Sequence, residues 1–279
     1  MSMKTADIFK NALLGVTATT FVGASLSPRH NVNGPVVSAA MALVSVKDTT
    51  NPLATIEAPT KTDADLALAA LGNIVGSLSD PRALTDAFRG YFAYRTAHPE
   101  DVKKPFLYFV DYGLPSTKPR GYVFDMVAKT IVDGPFMVAQ GRGSSSNKDG
   151  VPTVFSNQSG SAATSLGLYV AKDIYSFTGH TGGQAYSSIG LRLTGKSTGF
   201  NDNAFGRGVV AHGAPYVTAT RAGRSEGCPA LEPMRAQRLL PMLANGGVVF
   251  LFAPRADWLA SDPWLSTGLK ATATTVSVN

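Results

Sequence analysis

The chain has 279 residues, 44% hydrophobic and 16% charged, with 28 Gly, 17 Pro and a net charge of +6 at pH 7. This balance describes a globular, loop-rich and strand-rich protein long enough to bury a large core. A single cysteine excludes an internal disulfide and any thiolate metal cluster. The Lys and Arg residues are scattered, with no run beyond Lys103-Lys104, which argues against a nucleic-acid footprint. A basic balance of this kind suits an anionic partner such as nucleic acid, lipid headgroups or an acidic cell-wall polymer, and is equally an ordinary basic surface.

Residues 1–27 begin with Lys4 and Lys10 and continue through an uncharged run from Ala12 to Leu26. A basic start before an apolar run of that length predicts export, as a secretory signal peptide or a retained membrane anchor. Membrane association is expected only through this segment. Residues 28–60 are rich in Pro, Asn, Ser and Thr without sustained periodicity, and are expected to be a linker.

A helical segment is predicted over 61–104. Thr62-Asp63-Ala64-Asp65 resembles a capping box, and Leu66, Ala70, Ile74 and Leu78 would make one apolar stripe. Asp80 with Pro81 predicts the start of a second helix. Leu84, Phe88, Tyr91 and Arg95 fall on one face of it, and His98-Pro99 ends it.

From residue 105 the periodicity turns β-like. Strands are predicted at Phe106–Asp111, Gly121–Met126, Ile131–Ala139, Gly167–Ala171, Ile189–Thr194, Arg207–His212 and Val248–Phe252. A polar loop at Gly141–Gly150 is of the kind that lines a site. One late helix is predicted over Pro233–Ala244, stopped by Asn245-Gly246-Gly247. The expected architecture is a mainly β (α+β) domain over 105–255, with the two early helices packed beside it and a C-terminal tail over 256–279.

The chemistry concentrates in Arg207–Pro229, which holds the only cysteine, Cys228, and a histidine, His212. An apolar run delivers His212 to a Gly-Ala-Pro break, and Gly227 directly precedes the thiol. A cysteine nucleophile needs a base, oxyanion donors and a group that orients the base. His212 could supply the first, the N–H groups of Gly227 and Cys228 the second, and the Gly213 carbonyl the third. No acidic residue is placed by sequence as a third triad member. The residues alone leave this reading open against a buried, inert cysteine.

The run H-G-A-P-Y…G-R-S-E-G-C-P-A resembles the catalytic signature of the L,D-transpeptidase (YkuD-like) family, and most of all its murein L,D-transpeptidase catalytic-domain-like branch. F-V-D-Y-G-L-P-S at 109–116, F-S-N…S-L-G-L-Y at 155–169 and G-F-N-D-N-A-F-G-R at 199–207 are similar to that branch too. The resemblance implies a YkuD-like β-sandwich catalytic domain and a secreted or periplasmic enzyme acting on peptidoglycan stem peptides. By match of motif, Cys228 would be the acylated nucleophile, His212 the general base, Gly213 its orienting carbonyl, and Gly227 with Cys228 the oxyanion donors. Attack beside a diaminopimelate-type residue would release D-Ala and leave a thioester. A second stem's amine would resolve it to a 3→3 crosslink, or water would resolve it as in an L,D-carboxypeptidase. The resemblance implies no metal and no organic cofactor, and a monomer is expected.

Three departures from the family pattern stand out. Pro229-Ala230 follows the Cys where an Arg is commoner, leaving Arg224 and Arg207 as candidate sources of positive charge. Glu226 replaces a bulky residue or His, and its carboxylate should raise the thiol pKa. Gln140 stands where a His is usual, expected at the substrate rim. His180, in Gly-His-Thr-Gly-Gly, is a candidate cleft residue. Ser225 and Asn201 are carried with the substrate-binding set, with structural hydrogen bonding as their alternative role. The functional alternative to the enzyme is a catalytically weak peptidoglycan-binding or scaffolding protein that keeps the fold.

Overall fold

The computed structural model describes residues 61–265. The expected signal or anchor, the linker to residue 60 and the tail beyond 265 lie outside the described residues.

Helix α1 spans Asp63–Leu71, and Thr62 and Asp65 close a reciprocal capping box, as the sequence predicts. The apolar stripe differs from expectation. The helix stops at Gly72, so Ile74 and Leu78 fall beyond it, and the buried face is Ala64, Ala67 and Leu71. Leu66 and Ile74 are exposed. Helix α2 begins at Ala83, two residues later than Asp80-Pro81 implies, and runs to Ala97. Asp80 instead holds the turn before it, accepting from the backbone and side chain of Arg82.

Eight strands form one mixed sheet: β1 Phe106–Asp111, β2 Gly121–Asp125, β3 Thr130–Phe136, β5 Gly167–Thr181, β6 Gln184–Gly195, β7 Val210–Gly213, β9 Ala230–Leu231 and β10 Val248–Phe252. Their order is β3-β2-β1-β10-β5-β6-β7-β9, with β1–β10 and β7–β9 parallel and the other pairs antiparallel. A separate parallel ladder joins β4, Gln140–Gly141, to β8, Arg224–Ser225. The mainly β character with few helices is the expected fold class.

Strand β10 is buried at every position, which explains its unbroken apolar run: it is central and covered on both faces. On one face Gly90 brings α2 against Phe250, where a Cβ would lie 3.1 Å from the ring. On the other, Tyr108 of β1 stacks on Phe136, and Arg235 of helix α3 (Pro233–Leu243) lies over that ring. Helix α3 ends at Leu243, and Asn245 and Gly246, both at positive φ, turn the chain into β10.

Two further corrections concern length. Strands β5 and β6 extend well beyond the predicted segments into a long hairpin closed by Gly182-Gly183, both at positive φ. The start of the expected tail is also ordered. Residues Ala256–Ser261 form helix α4, whose Trp258 is 1% exposed, packs beside Phe250 and Phe252, and donates its indole N–H to Asp262 at 2.8 Å.

Candidate active site

Short pairings at one end of the sheet build the site. Strand β7 carries Val210-Ala211-His212-Gly213 between β6 and β9. Successive side chains alternate across a strand, so Ala211 enters the core while His212 faces the other way. A Cβ on Gly213 would lie 2.7 Å from Ser188 Oγ and 3.0 Å from Ala236 of α3, which explains glycine there. The parallel register of β9 sets Ala230 beside His212, and the His212 N–H donates to the Pro229 carbonyl at 3.3 Å. This pairing delivers Cys228 to the face that carries the imidazole.

The thiol sulfur accepts from the Val210 N–H at 3.5 Å and reaches the Gly208 carbonyl at 4.0 Å. It therefore lies against β7 two residues before His212, a step of roughly 6.6 Å along a strand. Among the described residues no hydrogen bond joins the sulfur to the His212 ring. Nδ1 of His212 lies 3.1 Å from the Gly213 carbonyl, so the neutral ring donates there and leaves Nε2 as the basic nitrogen. Phe177 of β5 meets the imidazole edge-on, with centroids 5.6 Å apart.

Burial pushes the Cys228 thiol up; the Val210 N–H and the Arg207 charge lower it, and Glu226 raises it. Burial holds the His212 imidazolium down, against the hydrogen bond to Gly213. Both shifts favour a neutral thiol beside a neutral imidazole over a resting ion pair.

The loop before the thiol is shaped by its own hydrogen bonds. Ser225 Oγ donates to the Cys228 carbonyl at 2.6 Å and accepts from the Gly227 N–H at 3.2 Å. The Gly227 N–H, expected as an oxyanion donor, is thus already engaged. The Cys228 N–H has no hydrogen-bond partner among the described residues and remains the available donor. Gly227 sits at φ +123°, and a Cβ on Gly141 would lie 2.8 Å from its Cα and 2.3 Å from the Ala162 carbonyl. Ladder β4–β8 and the 156–165 segment therefore close tightly on the thiol loop.

The remaining expected residues spread across three settings. Arg207 does approach the thiol loop, but its guanidinium is bound to the Ser156 and Ala163 carbonyls at 2.6 and 2.9 Å, and to Ser161 and Ser165 hydroxyls. It clamps the neighbouring segment while lending charge to the thiol. Arg224 is exposed on β8 and reaches the Ser145 carbonyl at 3.4 Å.

Asn201 is fully buried, accepting from the Ser197 N–H and donating to the Leu168 carbonyl, so its amide serves the framework. His180 is exposed near the hairpin tip, opposite Ala185. That is five residues along β6 from the Gly190–His212 pair, roughly 17 Å, and it places His180 outside the thiol's surroundings. Gln140 is not a rim residue: it is fully buried and accepts from Arg120.

Sequence reasoning missed several contributors. Arg120 is buried without a bonded carboxylate, held by the Val138 and Leu114 carbonyls and Gln140. Burial brings it down to about 10. Its spacing carries no signal, since nothing marks a lone Arg before a strand as internal. Phe177 was findable: Gly182-Gly183 is a two-residue hairpin signal that extends β5 past Ala171. Arg142, in the predicted polar loop, binds Glu226 through Nε at 2.7 and 2.9 Å. Among the described residues no three His, Cys, Asp or Glu side chains converge as a metal site.

A model of the L,D-transpeptidase catalytic domain, of the YkuD type, matches residues 77–252, more than half of the chain. The chain belongs to this family. The matched domain includes α2 and ends with β10, so α1 and α4 lie outside it. No curated protein matches the chain. Among solved structures, an L,D-transpeptidase from Stackebrandtia nassauensis is 15% identical over 70% of this chain and 91% of its own, with a TM-score of 0.34. An L,D-transpeptidase from Mycobacterium smegmatis is 14% identical over 53% of this chain, with a TM-score of 0.33. This chain spans 59% of the length of the latter.

Proposed function

We propose that this L,D-transpeptidase domain acts on peptidoglycan stem peptides through a thioester on Cys228. The observation that supports the reading is the β7–β9 pairing, which brings the loop carrying Cys228 alongside the strand carrying His212, whose Nδ1 lies against the Gly213 carbonyl. His212 Nε2 takes the thiol proton as sulfur attacks the carbonyl between the L-centre of a diaminopimelate-type residue and D-Ala. The Cys228 N–H stabilises the oxyanion. The carbon–nitrogen bond then breaks, His212 returns the proton to the departing D-Ala amine, and the acyl group stays on sulfur. A second stem's amine resolves the thioester to a 3→3 crosslink, and water gives the L,D-carboxypeptidase product.

The basic, apolar N-terminal sequence supports action in the periplasm or outside the cell. The half-buried thiol, whose pKa desolvation raises, also suits the second reading, a weakly active wall-binding protein that keeps the fold. D-Ala release from a tetrapeptide stem separates the two. The enzyme reading expects release from the wild type and none above background from Cys228→Ala. Equal release from both would remove Cys228 from the mechanism.

A further inference from the structure

The thiol loop carries an ion pair that the first half of this transfer does not use. Glu226 lies between Ser225 and Gly227, both buried, yet its carboxylate stands 71% exposed. Its partner Arg142, 62% exposed, comes from the single helical turn Arg142–Ser144 after β4. Both are anchored close to the sulfur. Glu226 sits two positions before Cys228 in a loop fixed by Ser225, and Arg142 follows the Gly141 that abuts Gly227.

The contact itself is one-sided. A single Nε–H of Arg142 is shared between both carboxylate oxygens, at 2.7 and 2.9 Å. Its two Nη groups have no hydrogen-bond partner among the described residues. An ion pair this exposed adds little to stability. What it presents beside the thiol is a carboxylate with unused lone pairs and a guanidinium fork open for bidentate binding. A ligand carrying an ammonium and a carboxylate on one carbon complements both.

We propose that Glu226 and Arg142 form the acceptor subsite, which selects an amine whose own carbon bears a free carboxylate. The proposal rests on the acyl-transfer reading above and adds which acceptor resolves the thioester. The ammonium held against Glu226 loses one proton to solvent, and the neutral amine attacks the thioester carbonyl. The carbon–nitrogen bond forms as the carbon–sulfur bond breaks, and the surplus amine proton passes through His212 to the sulfur. Plain alkylamines and water offer nothing to the Arg142 fork.

The test offers the acylated full-length protein two synthetic stem acceptors that differ only at the carboxylate beside the amine, free in one and amidated in the other. Mass spectrometry reads the ratio of the two amide products. The wild type is expected to favour the free carboxylate by about tenfold, the scale of one charge-assisted contact. Arg142→Gln should bring the ratio to within about twofold, with Arg142→Lys between. Arg238→Gln on α3, which breaks an ion pair to Asp133 of β3, serves as the control and should keep the wild-type ratio. An indiscriminate wild type, or an unchanged ratio in Arg142→Gln, overturns the proposal. In parallel, Cys228→Ala is titrated with the same acceptors, so that binding is read without chemistry. Equal affinity for both acceptors also overturns the subsite, whereas failure of the wild type to acylate at all defeats only the transfer reading.

Discussion

At the residue scale the central tension is at Cys228, where burial disfavours the thiolate that the proposed chemistry requires. Arg207, from the segment before β7, lowers the thiol pKa and Glu226, from the thiol's own loop, raises it, and Tyr112, Tyr169, Tyr175, Tyr186 and Tyr216 also lie within electrostatic reach of the sulfur. Alkylation by iodoacetamide, followed against pH, reads their sum. The midpoint should lie above the ordinary thiol value of about 8.5. Glu226→Gln removes a like charge and should lower it; Arg142→Gln frees that carboxylate and should raise it. Both shifts should stay under about one unit, because the pair is exposed and screened by salt. Midpoints that coincide, or that move in the opposite order, would remove the ion pair from control of the thiol.

At the scale of elements, the legible and illegible parts of the sequence separate by what sets them. Local signals carried well: the capping box at Thr62, the apolar run of β10, and the Asn-Gly exit of α3 all depend on a few adjacent residues. The α1 stripe failed because its partner surface, not its own periodicity, chose the buried face. That Cys228 and His212 meet was suggested by motif, and the β7–β9 pairing that sets their segments side by side rests on a two-residue β9 that no propensity would find. Arg120 and the Arg142–Glu226 contact are long-range and leave no local trace.

Helix α2 provides a test of packing against charge. Asp86, in its first turn, is pushed up from 3.8 to about 6 chiefly by burial. Its ionised form is therefore disfavoured in the fold. The penalty is absent below about pH 4, grows as pH rises, and is complete above about pH 6. Asp86→Asn should stabilise the protein at pH 7.5 by roughly 1–3 kcal/mol, given ~1.4 kcal/mol per pKa unit, with almost no gain at pH 3.5. Urea midpoints at the two pH values check this, and an equal gain at both would mean that burial of the charge is not the cause.

At the scale of the molecule, one continuous core supports a site built at one end of the sheet. The central strands β1 and β10 are covered on both faces, while β7 and β9 are short and frame the candidate site: β7 carries His212 and β9 follows the Cys228 loop. A smaller apolar cluster, including Met137, Ala139, Ala214, Val217, Ala222 and Ala230, backs the thiol loop. With no room for a Cβ between Gly141 and the Gly227 Cα, that loop has little room to rearrange, so its geometry is set by the fold.

The proposed transfer rests on an acyl group carried by one sulfur. Intact-mass spectrometry of the full-length protein, quenched during turnover of a tetrapeptide stem, measures that directly. The predicted result is a mass increase equal to the stem minus D-Ala, located on Cys228 and absent from Cys228→Ala. Continued release of D-Ala with no such adduct at any quench time, and with Cys228→Ala equally active, would contradict it.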